Sequence, residues 1–406
     1  MRKINSRSFI RATRSTPREI NRRIVLNLVH DHQPISRADL ARRMSVGRGM
    51  VTTFVNELIA EGAIYEGAAV DAPRGRRPKM LYVRTRDRLV VAVDVRFSRT
   101  YLMLADFSGT AIALESFETV VEPEVLVAEL ARRIGRLLEE HATLGGCEGI
   151  GLVVPGMTDH RTGRVLNSPQ LGWRNVDIRD ALANATGLPV QVENAPIACA
   201  LSHLWLGERG GEAHSDFVYV TISDGVGAGI VVNGQVVRGH GNTAGEFGHV
   251  PIALDGPMCL CGARGCIEAL TSNLATLSRY VGQQLSPTAT RELLNSTGLT
   301  VTDVIARARA GDERAAAALD ETGRYLGAAL ATIVNAINPT LIFVGGEITE
   351  AWDRLAPVVR AAIRERALTE VAAATPIITE PASSYPRLRG AIALVAAPAY
   401  AAPQVA

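Results

Sequence analysis

His249-x9-Cys259-x-Cys261-x4-Cys266 brings one imidazole and three thiols within 18 residues. That donor set suits a tetrahedral Zn²⁺ ion, which favours thiolate sulfur and neutral imidazole nitrogen. Four protein ligands fill the coordination sphere, so the expected role is structural rather than Lewis-acid catalysis. Gly256, Gly262 and Gly265 give the backbone freedom to wrap an ion. Cys147 and Cys199 are isolated and read as small buried apolar residues.

A second group of residues points to a polyanion. Arg48, Met50, Thr52, Thr53 and Asn56 share the outward face of a helix expected over about Arg48 to Ala60. Arg48 suits guanine O6 and N7, Asn56 suits adenine, and Thr52 and Thr53 suit phosphate or a thymine methyl. Arg74, Arg76, Arg77 and Lys79 crowd a loop bracketed by Pro73 and Pro78. Such a basic tip can lie along the DNA backbone or enter a narrow minor groove. Residues 1–88 carry 19 Lys and Arg against 8 Asp and Glu, a net of +11, while the rest carries 24 against 33, a net of −9. Only the first part is therefore expected to meet double-stranded DNA.

These groups need elements to hold them. After a polar, basic stretch over residues 1–16, Pro17 opens a helix with Ile20, Ile24, Leu28 and Val29 on one face. Ser36 caps a short second helix. The third helix follows a turn at 45–47, buries Val51, Phe54, Val55, Leu58 and Ile59, and ends at Gly62. Two short strands around the basic loop complete an N-terminal winged helix-turn-helix, whose third helix would enter the major groove. From residue 89 the pattern becomes α/β. Apolar strands at 89–94, 99–106 and 112–117 precede an amphipathic helix at 123–142 and a strand at 150–154. Strands at 217–222, 228–232 and 235–238 start a second half, followed by long helices ending with 312–337 and a strand at 341–344. Two such halves imply a cleft between them. Residues 387–400 read as a helix that packs back on the first half. No apolar run is long enough for a membrane span and the start lacks an export-type apolar segment, so a cytoplasmic, non-membrane protein is expected.

Gly239-His-Gly-Asn-Thr-Ala-Gly-Glu-Phe-Gly-His249, followed by Cys-Leu-Cys-Gly-Ala-Arg-Gly-Cys-Ile-Glu268, closely resembles the signature of the ROK family of repressors, open reading frames and sugar kinases. With the winged helix ahead of it, the chain resembles the repressor branch, which includes xylose and N-acetylglucosamine repressors. The resemblance implies a two-lobed, actin-like (sugar-kinase-like, ribonuclease-H-like) α/β domain. It implies that Asn194, Glu246, His249 and Glu268 hold sugar hydroxyls, with Asn167 in a stretch that lines the cleft. The chemistry agrees, since carboxylates accept from hydroxyls and an amide both donates and accepts. His249 can bind the metal through one ring nitrogen and face the sugar with the other.

The departures carry as much information. Family kinases use the Asp of an Asn-Asp pair as general base. This chain reads Asn194-Ala195, and an alanine takes no proton. The kinases' Asp-x-Gly-Gly-Thr turn, which approaches ATP phosphates, is Asp94-Val-Arg96-Phe97-Ser98 here, and the two side chains block close approach. Ser223–Gly229 retains part of a second phosphate-type loop or simply turns a hairpin. Gly345-Gly346 resembles an adenosine-side turn or a packing pair. The expectation is a sugar-gated repressor without kinase activity, acting as a homodimer or tetramer on an operator. A repressor relieved by a protein partner and a bifunctional sugar kinase are the alternatives. The expected division is 1–86 for the winged helix, 87–200 with 385–402 for the first lobe, and 201–384 for the second lobe with the zinc site.

Overall fold

The structure, a computed structural model, describes residues 16–69, 79–206, 214–286, 289, 292–293 and 296–401. The N-terminal stretch 1–15 and Arg74, Arg76 and Arg77 of the basic loop lie outside these residues. Helices Thr16–His32, Arg37–Met44 and Arg48–Ala60 are followed by antiparallel strands Ile64–Ala69 and Lys79–Val83, with Ile35–Ser36 pairing on the other side of Lys79–Val83. This is the element order of a winged helix. Ser36 and Asp39 form a reciprocal capping box at the second helix, which satisfies backbone N–H groups left open at its start. Gly62 closes the third helix with φ +72, a conformation favoured by glycine. Val51, Phe54, Val55 and Leu58 are buried as their spacing requires. The first helix is rotated from the expected face. Val25, Leu26 and Val29 are buried while Ile24 is 40% exposed, because this helix must fill the space between the third helix and the hairpin together.

The remainder holds two five-stranded sheets. The first has the order Val190–Asn194, Gly146–Val154, Arg88–Val95, Arg99–Asp106, Ala111–Glu118, and its first three strands run parallel. The second has the order Gln235–Val236, Val226–Val232, Phe217–Ile222, Leu341–Gly345, Ile377–Glu380, and its last three run parallel. Central strands are buried along both faces, as continuous Val, Ile and Leu runs demand. Leu126, Leu130 and Ile134 of helix Pro123–Glu140 cover one face of the first sheet. Leu388, Ala391 and Ile392 of helix Pro386–Tyr400 cover the other. That helix lies close because Gly151 offers no side chain: a Cβ there would meet the Ala391 carbonyl oxygen at 1.9 Å. The second sheet packs on Glu313–Ile337, Val301–Arg309 and Trp352–Arg366. In both sheets the carboxyl ends of the parallel strands face a common crevice, the position where open α/β sheets bind ligands.

Candidate functional site

The crevice is built from strand ends. Asn194 closes the strand Val190–Asn194 and Ala195 opens the helix Ala195–Leu206. The Asn194 Oδ1 accepts from the Ile197 N–H at 3.2 Å and so caps that helix. Both residues line the cavity, facing Glu246, His249 and Glu268 from the opposite sheet. Glu268 is buried, and its Oε2 accepts from the Val226 N–H at 3.0 Å. Burial pushes the carboxyls of Glu246 and Glu268 above the usual range. Both carboxylates line the cavity, where they can accept from a ligand hydroxyl. Asn167 is not among the residues lining this cavity. Its strand, Arg164–Ser168, is the middle of a three-stranded sheet between Met157–Asp159 and Trp173–Val176, and the ladder holds it there. Pro169 and Gln170, just past the strand end, reach the cavity instead.

His249, Cys259, Cys261 and Cys266 converge with one donor atom each, all within 4.8 Å of one another. The Cys261 and Cys266 sulfurs are 3.7 Å apart, and Cys259 Sγ lies 3.7 Å from His249 Nδ1. A tetrahedral ion with metal–sulfur bonds of ~2.3 Å has sulfur–sulfur edges of about 3.8 Å, so the cluster can hold a metal. The other ring nitrogen, Nε2, points to Glu246 Oε2 at 3.8 Å. The imidazole thus links the metal ligands to the cavity wall.

The Asp94–Ser98 turn is filled by its own side chains. Arg96 Nε donates to Asp94 Oδ2 at 2.6 Å, and Arg96 Nη1 donates across the crevice to Glu347 Oε1 at 3.0 Å. The guanidinium also covers the Tyr101 ring at 4.7 Å. Burial alone would lower the Arg96 pKa, but Asp94 and Glu347 outweigh it and hold the proton firmly. Arg387, from the far end of the chain, meets the second Asp94 oxygen at 3.0 Å as a charge contact outside hydrogen-bond alignment. Sequence reasoning missed Arg387, and it noticed the Gly345-Gly346 turn without the Glu347 that follows it. It noticed Asp224 only within a loop. Ser223–Gly225 does turn the hairpin between Phe217–Ile222 and Val226–Val232, and Asp224 also lines the cavity. Gly345 and Gly346 are packed tightly: Cβ atoms would lie 2.1 Å from Tyr219 Oη and 1.8 Å from the Ile222 carbonyl oxygen.

In the N-terminal module Arg48, Met50, Thr52, Thr53 and Asn56 are all exposed on the third helix. The Thr52 and Thr53 hydroxyls donate to the carbonyls of Arg48 and Gly49. Asn56 Oδ1 accepts from Arg37, and Glu66 pairs with both Arg37 and Lys79.

The ROK family model matches residues 90–397. The chain belongs to the ROK family. It is 30% identical over 361 residues to a protein named putative xylose repressor from Caldicellulosiruptor sp. (strain Rt8B.4), covering 86% of this chain and 88% of the relative. It is 34% identical over 299 residues to a glucokinase of Halalkalibacterium halodurans, covering 70% of this chain and 88% of that enzyme. A solved ROK family transcriptional regulator, described as a homologue of the Escherichia coli MLC protein, superposes with a TM-score of 0.78 at 28% identity, over 95% of this chain and 97% of that one. Among the described residues no helix is long and apolar enough to cross a membrane.

Burial pushes the Asp224 carboxyl up to about 6; Glu347 adds to the shift, while Arg387 and Arg96 oppose it. The folded chain then binds this proton more tightly than the unfolded one, whose Asp titrates near ~4. Stability from this group is therefore gained as pH falls through about 6 and complete near the unfolded value. Asp224→Asn should be more stable than the parent at pH 8, by about 1 kcal/mol after allowing for partial exposure, with the difference shrinking toward pH 5. Thermal melts of both proteins across that range check this, and a pH-independent difference would contradict it.

Proposed function

We propose that this protein is a sequence-specific DNA-binding repressor gated by a sugar or sugar derivative, without kinase activity. The observation that carries the reading is the extent of the similarity. Likeness to the solved transcriptional regulator runs through the N-terminal module as well as the two sheets, whereas the glucokinase relative matches 70% of the chain. Residues 1–86 form the DNA-binding unit, 87–200 with 385–402 the first lobe, and 201–384 the second lobe. Arg48, Met50, Thr52, Thr53 and Asn56 read the major groove, with Arg74, Arg76, Arg77 and Lys79 on the backbone or minor groove. Two copies on a palindromic operator follow from the usual symmetry of such sites.

In the crevice, Glu246 and Glu268 accept sugar hydroxyls and the Asn194 amide nitrogen donates to them. His249 fixes one edge of the site because the metal fixes His249. Zinc is the ion that best suits three thiolates and an imidazole, and its contribution is to hold the loop. Phosphoryl transfer lacks two supports. Ala195 stands where a base would be, a loss of about 10²–10⁴ in rate by itself. Arg96 and Phe97 occupy the turn that would approach phosphates.

Helix Pro386–Tyr400 offers a route from sugar to DNA. Arg387 at its start lines the crevice. At its end the Tyr400 carbonyl accepts from Asn27 Nδ2 at 2.8 Å, the Tyr400 ring meets His30 at 4.6 Å, and Arg23 donates to the Ala399 carbonyl. A rigid rod of ~22 Å therefore joins the crevice to the first helix of the winged module. A sugar that moves Arg387 biases that helix, and by linkage the operator state biases sugar affinity.

Operator-shift titrations with a panel of monosaccharides should show one that changes affinity at least about fivefold, the lower range of site-to-site coupling. An Arg23→Ala/Asn27→Ala variant should bind the operator and lose most of that response. No response to any sugar in the parent protein would exclude the gating, and a full response in the variant would exclude the rod. Metal analysis should find one zinc per chain, lost in Cys261→Ser together with about tenfold or more of sugar affinity. Undiminished sugar binding by metal-free protein would contradict the link through His249.

A further inference from the structure

The crevice continues past the residues assigned to the sugar. A second chamber of about 260 Å³ shares Arg96, Phe97, Gln170 and Asp224 with the first cavity. One wall carries Leu274, Leu277 and Val301 on two helices of the second sheet's side, and Tyr101 faces them from the first sheet. The polar edge is rich in acceptors. Asn273 is only 6% exposed, and its Nδ2 donates to Glu347 Oε2 at 3.0 Å. Its buried Oδ1 has no partner among the described residues. Such an orphan acceptor costs free energy unless a ligand or water supplies a donor.

The charges select the ligand class. Arg96 is already committed to Asp94 and Glu347, and Arg99 at the rim donates to Ser116. The carboxylates of Asp224 and Glu347 face the same space, so a phosphate-bearing ligand meets repulsion without a spare buried cation. A neutral ligand with hydroxyl donors on its edge and C–H groups on its faces fits both walls, which is the surface of a pyranose or furanose ring. We propose that this chamber holds the second sugar unit of a disaccharide or longer oligosaccharide effector, with the first unit at Asn194, Glu246 and Glu268. This rests on the sugar-gated reading above and specifies its ligand.

Calorimetry on the full chain tests it with matched pairs: xylose with xylobiose, and glucose with maltose and with cellobiose. One disaccharide should bind at least about tenfold tighter than its monosaccharide, the worth of one or two added buried hydrogen bonds. Thr302→Trp, at an exposed rim position, should abolish that advantage and leave the monosaccharide unchanged. Asn273→Ala should reduce disaccharide affinity selectively, by about three- to tenfold. A monosaccharide that binds as tightly as each of its disaccharides overturns the second unit while leaving the sugar site standing. So does Thr302→Trp weakening both ligands alike. Binding of neither class overturns the sugar reading and this extension together.

Discussion

The buried carboxylate of Asp94 determines how the two sheets meet. It is the next-to-last residue of the strand Arg88–Val95, which is buried from Leu89 onward, and a charge there requires partners. Arg96 supplies one from two residues along, and Arg387 supplies another from the last helix. Arg96 then reaches Glu347 on the opposite side of the crevice. Removing one member of such a set leaves an uncompensated buried charge, typically a cost of 3–5 kcal/mol or about that. The relative position of the crevice walls therefore depends on a charge group made entirely of protein atoms. The Arg96 guanidinium is thereby committed to protein carboxylates on both sides of the crevice.

A second constraint runs through His249. One ring nitrogen faces the thiols and the other faces Glu246, so the His-Cys cluster and the cavity wall share a single rigid ring. The helix Pro386–Tyr400 serves both constraints. Its first turn carries Arg387 to Asp94, and its last residue meets the N-terminal helical module. Close approach at Gly151 lets it pack directly on the first sheet.

Much of this was legible in the sequence because it is local. Ser36 at the start of the second helix and Gly62 past the third mark helix ends by short-range hydrogen bonds. The His-Cys cluster is also local, spanning a single loop. The convergence of Asn194, Glu246 and Glu268 was legible through family resemblance alone, since nothing in their spacing brings them together. Arg387, Glu347 and Asp224 were not legible as a group, because only the tertiary fold makes them neighbours. Asn167 was misplaced for a related reason. Asn167 lies inside the strand Arg164–Ser168, paired with Arg174 and Met157, whereas Pro169 and Gln170 just past that strand line the cavity. The face of the first helix was misjudged because its partners include a hairpin distant in sequence.

We propose that the side chains of the Asp94–Ser98 turn stand where a kinase would seat phosphates, leaving a sugar-gated repressor without phosphoryl transfer. Coupled-enzyme detection of ADP, with Mg·ATP and the sugar that shifts operator binding, tests it most directly. The account predicts ADP release at the buffer background, with or without that sugar. Sugar-dependent ADP release above background that disappears in Glu246→Ala would contradict it.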